Sequence, residues 1–154
     1  MSDDGARQRC GIDTVEIARI ERLLRENSAE DLQRFFTPGE LADAGDGPGR
    51  AASLAARFAA KEACVKLFPR EAALGAIVAA DFSIARDNYG APRVVCGPRA
   101  AAVLGRHRIA SIAVSMTHDR GSASAVAQAE RAGIEVTLAG RLLFRFLPFR
   151  RAVM

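Results

Sequence analysis

Apolar residues recur every three or four positions early in the chain, with charged residues between them. Ile17, Ile20 and Leu24 fall on one stripe, which predicts an amphipathic helix that ends near Glu26. The apolar, β-branched segment 10–15 that precedes it predicts a short strand. The chain therefore opens with a predicted strand that leads directly into a helix.

Two further helices are indicated by the residues at their ends. Thr37, Pro38 and Glu40 stand at the N-cap, first and third positions of a helix, which is the arrangement of a capping box. Glycines and a proline in segment 45–49 should end that helix and connect it to the next one. Residues 51–68 contain many alanines and no glycine or proline, which predicts a long helix.

The second half of the chain is dominated by strand-like patterns. Segments 81–86 and 93–96 flank a turn rich in Asp, Asn, Gly and Pro, which predicts a β-hairpin. We further predict a short helix at 99–104, a strand at 109–115, a polar loop at 116–121 and a strand at 122–128. One strand, then helices, then mainly strands predicts an α+β fold, an antiparallel sheet with a long central helix.

The composition divides the chain into three parts. Residues 1–9 predict a flexible N-terminus, residues 10–130 one domain, and residues 131–154 a basic, apolar C-terminal extension. In the extension, segment 141–151 interleaves arginines with leucines and phenylalanines, so it could lie on a membrane surface or an acidic partner. We favour a segment that packs on the domain or on a neighbouring subunit, with its arginines reaching solvent.

Charge and cysteine content argue against several classes of protein. The formal net charge is +4 and the extension accounts for all of it, so the balanced domain does not predict a nucleic-acid binder. Cys10, Cys64 and Cys96 are widely spaced and form no CxxC motif, which predicts reduced thiols in a cytoplasmic protein. The N-terminus has no signal-peptide pattern, and no apolar run approaches the ~20 residues of a membrane span.

A few polar residues stand where the fold pattern does not require them. Asp13 lies inside an apolar strand, Glu62 and Lys66 share one face of the long helix, and His118 follows a strand. Lys61 and Lys66 are the only lysines among 22 basic residues. Two carboxylates with lysines nearby suit Mg²⁺ and phosphate groups. Each residue alone also has a plainer explanation: a helix cap for Asp13, a surface ion pair for Glu62 and Lys66, and a structural or surface role for His118.

Four motifs occur together in residues 10–130. They are Gly11-Ile12-Asp13-Thr14-Val15-Glu16-Ile17 with Arg19-Ile20, Arg34-Phe35-Phe36-Thr37 with Glu40-Leu41, Arg57-Phe58-Ala59-Ala60-Lys61-Glu62-Ala63 with Lys66, and Ser115-Met116-Thr117-His118. In this order and at these spacings, the chain resembles the holo-[acyl-carrier-protein] synthase family of 4′-phosphopantetheinyl transferases. The block around Glu62 and the leading Gly11-Ile12-Asp13 carry most of the resemblance.

The resemblance implies the family's fold and its reaction. Such enzymes transfer the 4′-phosphopantetheine arm of coenzyme A to a serine of an apo acyl carrier protein, in a Mg²⁺-dependent reaction that releases adenosine 3′,5′-bisphosphate. It implies Asp13 and Glu62 as magnesium ligands, and Glu62, Lys66 and His118 as catalytic residues. Glu62, or a metal-bound water that it orients, would help to remove the serine proton. Lys66 would neutralise charge on the transferring phosphate, and His118 would bind the cofactor or handle a proton.

The resemblance also implies contacts with both substrates and with other subunits. Arg19 and Arg34 are expected near the carrier protein. Carrier proteins present an acidic helix, and attraction between this helix and the two arginines should raise the rate of association. A homotrimer with the site between subunits is expected, because family members of this length are typically trimers. The residues expected to contact coenzyme A are Arg57, Lys61, Lys66, Gly90, Pro92, Thr117 and His118.

The chain departs from the family pattern at several positions. The usual Gly-Lys-Pro turn is Gly90-Ala91-Pro92 here, and Ala56 replaces a glycine that often precedes the arginine of the long helix. Segment 45–49 and the extension match nothing in the family pattern. The alternative is a relative that binds carrier proteins or coenzyme A without chemistry, although such a binder has no reason to keep both carboxylates. The sequence leaves open whether the carrier serves fatty-acid, polyketide or peptide synthesis.

Overall fold

The structure is a computed structural model that describes residues 9–131. The predicted N-terminal segment, apart from residue 9, and the predicted extension, apart from residue 131, lie outside the described residues. The strands in the described part are β1 (Cys10–Glu16), β2 (Phe82–Arg86), β3 (Pro92–Cys96), β4 (Ile109–His118) and β5 (Ser122–Arg131). The α-helices there are α1 (Ile17–Glu26), α2 (Ala29–Leu32), α3 (Pro38–Ala44), α4 (Arg50–Val65), α5 (Arg70–Ala73) and α6 (Pro98–Arg106), and a short 3₁₀ helix spans Ala79–Asp81.

The strands form two antiparallel sheets. β1, β5 and β4 pair in that order, while β2 and β3 form a separate hairpin. Side chains alternate across a strand, and every second residue of the central strand β5 is a buried alanine. These small side chains give the sheet a flat face on which a helix can lie closely. They are Ala123, Ala125, Ala127 and Ala129.

Helix α4 occupies that face and forms the centre of the molecule. It packs on β1, β5 and β4, and its residues from Leu54 to Lys61 are all buried. Helices α1 and α3 and strand β2 pack around its other sides. Large core side chains such as Ile20, Phe36 and Phe82 are each about 1% exposed. The prediction of an α+β fold, an antiparallel sheet with a long central helix, is confirmed.

Several local predictions are also confirmed. Helix α1 ends at Glu26, and the hairpin of β2 and β3 forms where the turn residues indicated it. The capping box is complete, because the Thr37 backbone N–H donates to Glu40 Oε2 at 2.8 Å and the Glu40 N–H donates to Thr37 Oγ1 at 3.3 Å. Within residues 9–131, no helix combines the length and the apolar character that crossing a membrane would require.

The predicted loop at 116–121 is wrong in its first half. Met116, Thr117 and His118 continue β4 and pair with β5, so only three residues separate the two strands. The turn is this tight because Asp119 Oδ1 accepts hydrogen bonds from the backbone N–H groups of Gly121 (2.9 Å) and Ser122 (3.0 Å). Because Asp119 closes the turn, β4 and β5 remain paired through the polar residues Thr117 and His118.

Candidate active site

Helix α4 lies very close to strand β1 at Gly11. A Cβ atom added to Gly11 would stand 2.0 Å from the carbonyl oxygen of Ala63 and 3.2 Å from the Cβ of Lys66. No side chain fits in that space, so the contact requires glycine. The contact brings the end of α4, with Glu62 in its last turn and Lys66 at its C-cap, against the strand that carries Asp13.

Asp13 and Lys66 form an ion pair at this contact. Lys66 Nζ donates to Asp13 Oδ1 at 2.7 Å and to the Ile12 carbonyl oxygen at 3.1 Å. The Asp13 side chain is 16% exposed and the Lys66 side chain 52%, so the carboxylate is enclosed while the ammonium reaches solvent. Asp13 does not cap α1, because Glu16 holds the N-cap position. The ion-pair partner of Lys66 is therefore Asp13 and not Glu62, its neighbour on the helix.

The Glu62 carboxyl group is partly buried beside this pair. Burial raises the pKa of Glu62, and the negative charge of Asp13 raises it further. The positive charges of Lys66 and Arg19 act in the opposite direction. The structure thus brings together Asp13, Glu62 and Lys66, three residues that the family resemblance assigned to one site. Two carboxylates that repel each other in a partly dehydrated place favour the binding of a cation.

The donor set at this site fits a magnesium ion. Mg²⁺ is usually held by one or two carboxylates and completes its coordination with water and substrate phosphate oxygens. Asp13 and Glu62 supply two carboxylates, and the solvent side of the site is open at the half-exposed Lys66. In residues 9–131 there is no cluster of three or more His, Cys, Asp or Glu side chains that would build an all-protein metal cage. The residues present would hold a metal that shares its coordination with a substrate.

Lys61 lies on another side of α4, inside the core. Its side chain is 1% exposed, and its Nζ lies 2.6 Å from Glu40 Oε2 and donates to the Phe35 carbonyl oxygen at 2.8 Å. Burial lowers the pKa of Lys61, while the Glu40 carboxylate raises it. We correct the prediction that Lys61 binds a coenzyme A phosphate, because its ammonium is enclosed and already paired.

Arg57 is buried on the same side as Lys61, one turn earlier. Its Nη1 donates to Ser53 Oγ at 2.5 Å, and its Nη2 lies 3.5 Å from Asp43 Oδ2. Burial lowers the pKa of Arg57, and the nearby Arg86 adds to this effect. The Arg57 side chain is 1% exposed in the single chain, and its contact with a coenzyme A phosphate stays a prediction.

Strand register separates the two predicted site residues of β4. His118 stands opposite Ala123, and Asp13 stands opposite Ala125, so both belong to the sheet face that α4 covers. Their strands flank β5, which places the β4 and β1 backbones about 10 Å apart. Thr117 alternates to the other face of the sheet. Within one chain, His118 therefore shares a face with Asp13 and Thr117 does not.

Gly90 and Pro92 lie in the β2–β3 hairpin, which is separate from the main sheet. Gly90 has a φ of +82°, a value that favours glycine. Asp87 Oδ1 closes the turn by accepting hydrogen bonds from the backbone N–H groups of Tyr89 (2.8 Å) and Ala91 (2.9 Å). The turn is thus well defined, and the contact of Gly90 and Pro92 with coenzyme A stays a prediction.

The two arginines expected at the carrier protein are both exposed. The Arg19 guanidinium lies over the Phe58 ring at 5.2 Å from its centroid, beside a surface cavity of about 200 Å³. Leu23 and Phe35 also line this cavity. Arg34 follows α2 on the chain. Helix α1 thus presents basic groups around a small apolar depression, close to Glu62.

The sequence did not indicate the structural roles of two residues that position α4, Gly11 and Glu40. Gly11 was noticed only as part of a motif, although a glycine inside a β-branched strand is a signal of close backbone approach. Glu40 was predicted as a helix cap, but its carboxylate also accepts from the Ile84 N–H at 2.9 Å and pairs with Lys61. Nothing in the local pattern around Glu40 indicated this second role.

Comparison with known proteins places the chain in a family. The family model of the 4′-phosphopantetheinyl transferase superfamily matches residues 9–127. A protein named holo-[acyl-carrier-protein] synthase from Moorella thermoacetica is 42% identical over 122 residues, which cover 78% of this chain and 91% of that protein. One of the same name from Trichlorobacter lovleyi is 38% identical over 115 residues, 75% of this chain and 90% of the relative.

Solved structures give the same result. The holo-[acyl-carrier-protein] synthase of Neisseria meningitidis matches with a TM-score of 0.66 and 29% identity, over 80% of this chain and 98% of that one. The Helicobacter pylori enzyme, solved in complex with coenzyme A, matches with a TM-score of 0.63 and 29% identity, over 79% of this chain and 99% of that one. By sequence and by fold, this chain belongs to the 4′-phosphopantetheinyl transferase superfamily.

Proposed function

We propose that this chain transfers the 4′-phosphopantetheine group of coenzyme A to a serine of an apo acyl carrier protein. The observation that carries this proposal is the meeting of Asp13, Glu62 and Lys66 where α4 touches β1. In the reaction, the serine oxygen bonds to the phosphorus that carries pantetheine. The P–O bond to the second phosphate breaks, and adenosine 3′,5′-bisphosphate leaves. The serine proton passes to a base of the site.

The residues of the site have distinct roles in this proposal. Asp13 and Glu62 would hold magnesium, which would neutralise the negative charge of the pyrophosphate. Lys66 is half-exposed, so its ammonium is able to leave Asp13 and contact the transferring phosphate. Glu62, whose pKa is raised by burial and by Asp13, accepts the serine proton directly or through a water that it orients. His118 lies on the same sheet face and binds the cofactor or relays a proton.

The carrier protein is proposed to dock on helix α1. Arg19 stands next to the catalytic carboxylate and beside the apolar cavity that Leu23 and Phe35 line. An acidic helix with an apolar side chain at its centre is complementary to that surface. Arg34 would extend the basic area. Docking here would bring the carrier serine to the edge of the site where Glu62 lies.

We also propose the homotrimer that the resemblance implied. On the sheet face opposite α4, which none of the elements described in residues 9–131 covers, Ile12 (63% exposed) pairs with Val126 (40% exposed). Two exposed apolar side chains side by side on a sheet face are suited to packing against another subunit. Light scattering of the purified protein tests this. Ile12→Glu should yield monomers without unfolding, and a wild-type monomer would overturn the proposal.

The activity is tested by mass spectrometry. The full chain, coenzyme A and Mg²⁺ are incubated with apo carrier proteins from fatty-acid, polyketide and peptide synthesis, and we expect one carrier to gain the mass of one phosphopantetheine arm. Glu62→Gln or a chelator should abolish the gain, whereas Glu71→Gln, which changes an exposed acid of α5, should not. Coenzyme A binding without transfer to any carrier would instead support a non-catalytic relative.

A further inference from the structure

An apolar groove lies between the two sheets, away from the candidate active site. Within residues 9–131 no strand ladder joins the β2–β3 hairpin to the main sheet, so strand β3 and the start of β4 leave a cleft beside helix α6. The cleft has a volume of about 490 Å³. Most of its lining is apolar and comes from Val94, Cys96, Leu104, Ile109 and Ile112. Arg93 contributes a positive charge to the lining.

The described chain ends beside this groove. Arg131, the last residue of β5, stands directly opposite Ile109, the first residue of β4. Directly paired residues of neighbouring strands lie about 5 Å apart, so the described chain ends at Arg131 within one strand spacing of the groove lining. The nine residues 132–140 would reach about 30 Å when fully extended, which is ample for a return into a groove that begins there.

The segment that follows has the composition to fill the groove. Residues 142–149 read Leu-Leu-Phe-Arg-Phe-Leu-Pro-Phe, six large apolar side chains among eight residues. A fully exposed apolar run of this kind would be unusual on a protein surface, so we expect these side chains to be buried against another surface. The family model ends at residue 127, and the relatives from N. meningitidis and H. pylori are covered to 98% and 99% by about four fifths of this chain. The segment is therefore an addition of this chain to a fold that is complete without it.

We propose that the groove between β3, α6 and β4 is the docking site of this chain's own residues 142–149. Apolar burial and not charge carries the contact, because Arg93 has the same sign as the arginines of the extension. Docking would tie β3 to β4 and so fix the β2–β3 hairpin relative to the main sheet, which no strand ladder of the described part of the chain does. The proposal does not depend on the proposed activity.

The rate at which Cys96 is alkylated shows whether the groove is covered, because this residue lines the groove. It is partly buried and lines the groove, while Cys10 is exposed and Cys64 is fully buried. The alkylation rate of Cys96, divided by that of Cys10 in the same sample, is measured by mass spectrometry on the full chain. It is compared with a variant that carries Phe144→Ser, Phe146→Ser and Phe149→Ser. A tenfold faster reaction in the variant would correspond to about 1.4 kcal/mol of docking free energy.

A change on the groove side provides an independent test. Ala101 and Ala102 are neighbouring exposed residues of α6, and only Ala101 lines the groove. We expect Ala101→Lys to speed amide hydrogen exchange of residues 142–149 about tenfold, whereas the matched control Ala102→Lys leaves it unchanged. Because both positions are exposed, neither variant should disturb the fold.

Each other outcome overturns the proposal. Equal Cys96 rates in the wild type and the triple-serine variant would mean that the segment does not cover the groove. Protection that grows with protein concentration would mean that a second copy supplies the occupant. Protection that appears only with anionic lipid vesicles would mean that the segment binds a membrane surface.

Discussion

Replacing Gly11 with alanine should damage both the stability and the activity of the protein, because α4 rests directly on this residue. The added Cβ would lie 2.0 Å from the Ala63 carbonyl oxygen, where ordinary contact begins near 3.4 Å. Both partners are backbone, so no side chain can swing away, and α4 must move from β1 by about 1 Å or more. Overpacking of this kind typically costs about 1–3 kcal/mol. For a domain of this size that lowers Tm by roughly 4 °C per kcal/mol.

The same movement should separate Glu62 from Asp13. A displacement of about 1 Å between reacting groups can reduce a rate by about 10²-fold. We therefore expect kcat/KM for coenzyme A to fall about 100-fold in Gly11→Ala, and the half-saturating Mg²⁺ concentration to rise. The assay is steady-state transfer to an apo carrier protein, run well below the Tm of the variant, so that unfolding does not contribute.

Gly39→Ala is the matched control. Its new Cβ would have Thr37 Oγ1 at 3.9 Å as nearest neighbour, and Gly39 lies inside helix α3, where alanine is favoured by about 0.5–1 kcal/mol. This control should keep full activity and a Tm at least as high as the wild type. If Gly11→Ala retained the wild-type Tm and kcat/KM, the packing argument would be refuted. A lower Tm with unchanged magnesium dependence would refute the placement of Glu62 by this contact.

Four further substitutions test the charges in α4 and at its C-cap. Because the pKa of Glu62 is raised above its usual value of 4.5, ionisation of this group destabilises the fold as the pH rises above 4.5. Glu62→Gln should therefore raise Tm near neutral pH in the absence of Mg²⁺, and it should not raise Tm below pH 4.5. Lys61→Met should lower the free energy of unfolding by about 3–5 kcal/mol in urea, since Glu40 stays buried without its cation, and added Glu40→Gln should restore most of it. Lys61→Arg should destabilise the fold in the same assay, whereas Lys66→Arg should leave it within about 1 kcal/mol, because Lys66 is half-exposed.

Much of the fold could be predicted from local signals. The stripe of Ile17 and Ile20 gave the right end of α1, and the Thr37–Glu40 capping box fixed the start of α3, because both patterns act within one or two turns of the chain. The β2–β3 hairpin followed from its turn residues for the same reason. The strand continuation through His118 was missed, since polar residues resemble a loop when the partner strand is not known.

The arrangement of the site depends on contacts between distant parts of the chain. Asp13 and Glu62 were found as unusual residues and were associated by the family resemblance, but no spacing rule joins two residues that far apart. Their meeting depends on Gly11, which only the three-dimensional contact reveals as a spacer between helix and strand. The assignment of Lys61 was wrong because a lysine inside an alanine-rich helix looks exposed. Its burial requires Glu40, which comes from another helix.

The surroundings of Lys61 in α4 and of Lys66 at its C-cap explain why an arginine-rich chain has lysine at these two positions. Lys61 places one small ammonium between Glu40 Oε2 and the Phe35 carbonyl oxygen, 5.3 Å from the centroid of the Phe36 ring. A guanidinium carries five N–H donors, and Arg57 next to it already has a buried Nε without a partner in the described part of the chain. Each further buried donor without a partner would cost about 1–3 kcal/mol. The proposed function explains Lys66 by the opposite property: its half-exposed ammonium, paired with Asp13 here, would be available as a point charge to a substrate phosphate. Lys61 thus stabilises the position of α4 because its ammonium is buried and paired, whereas the ammonium of Lys66 is accessible to a substrate because it is half-exposed.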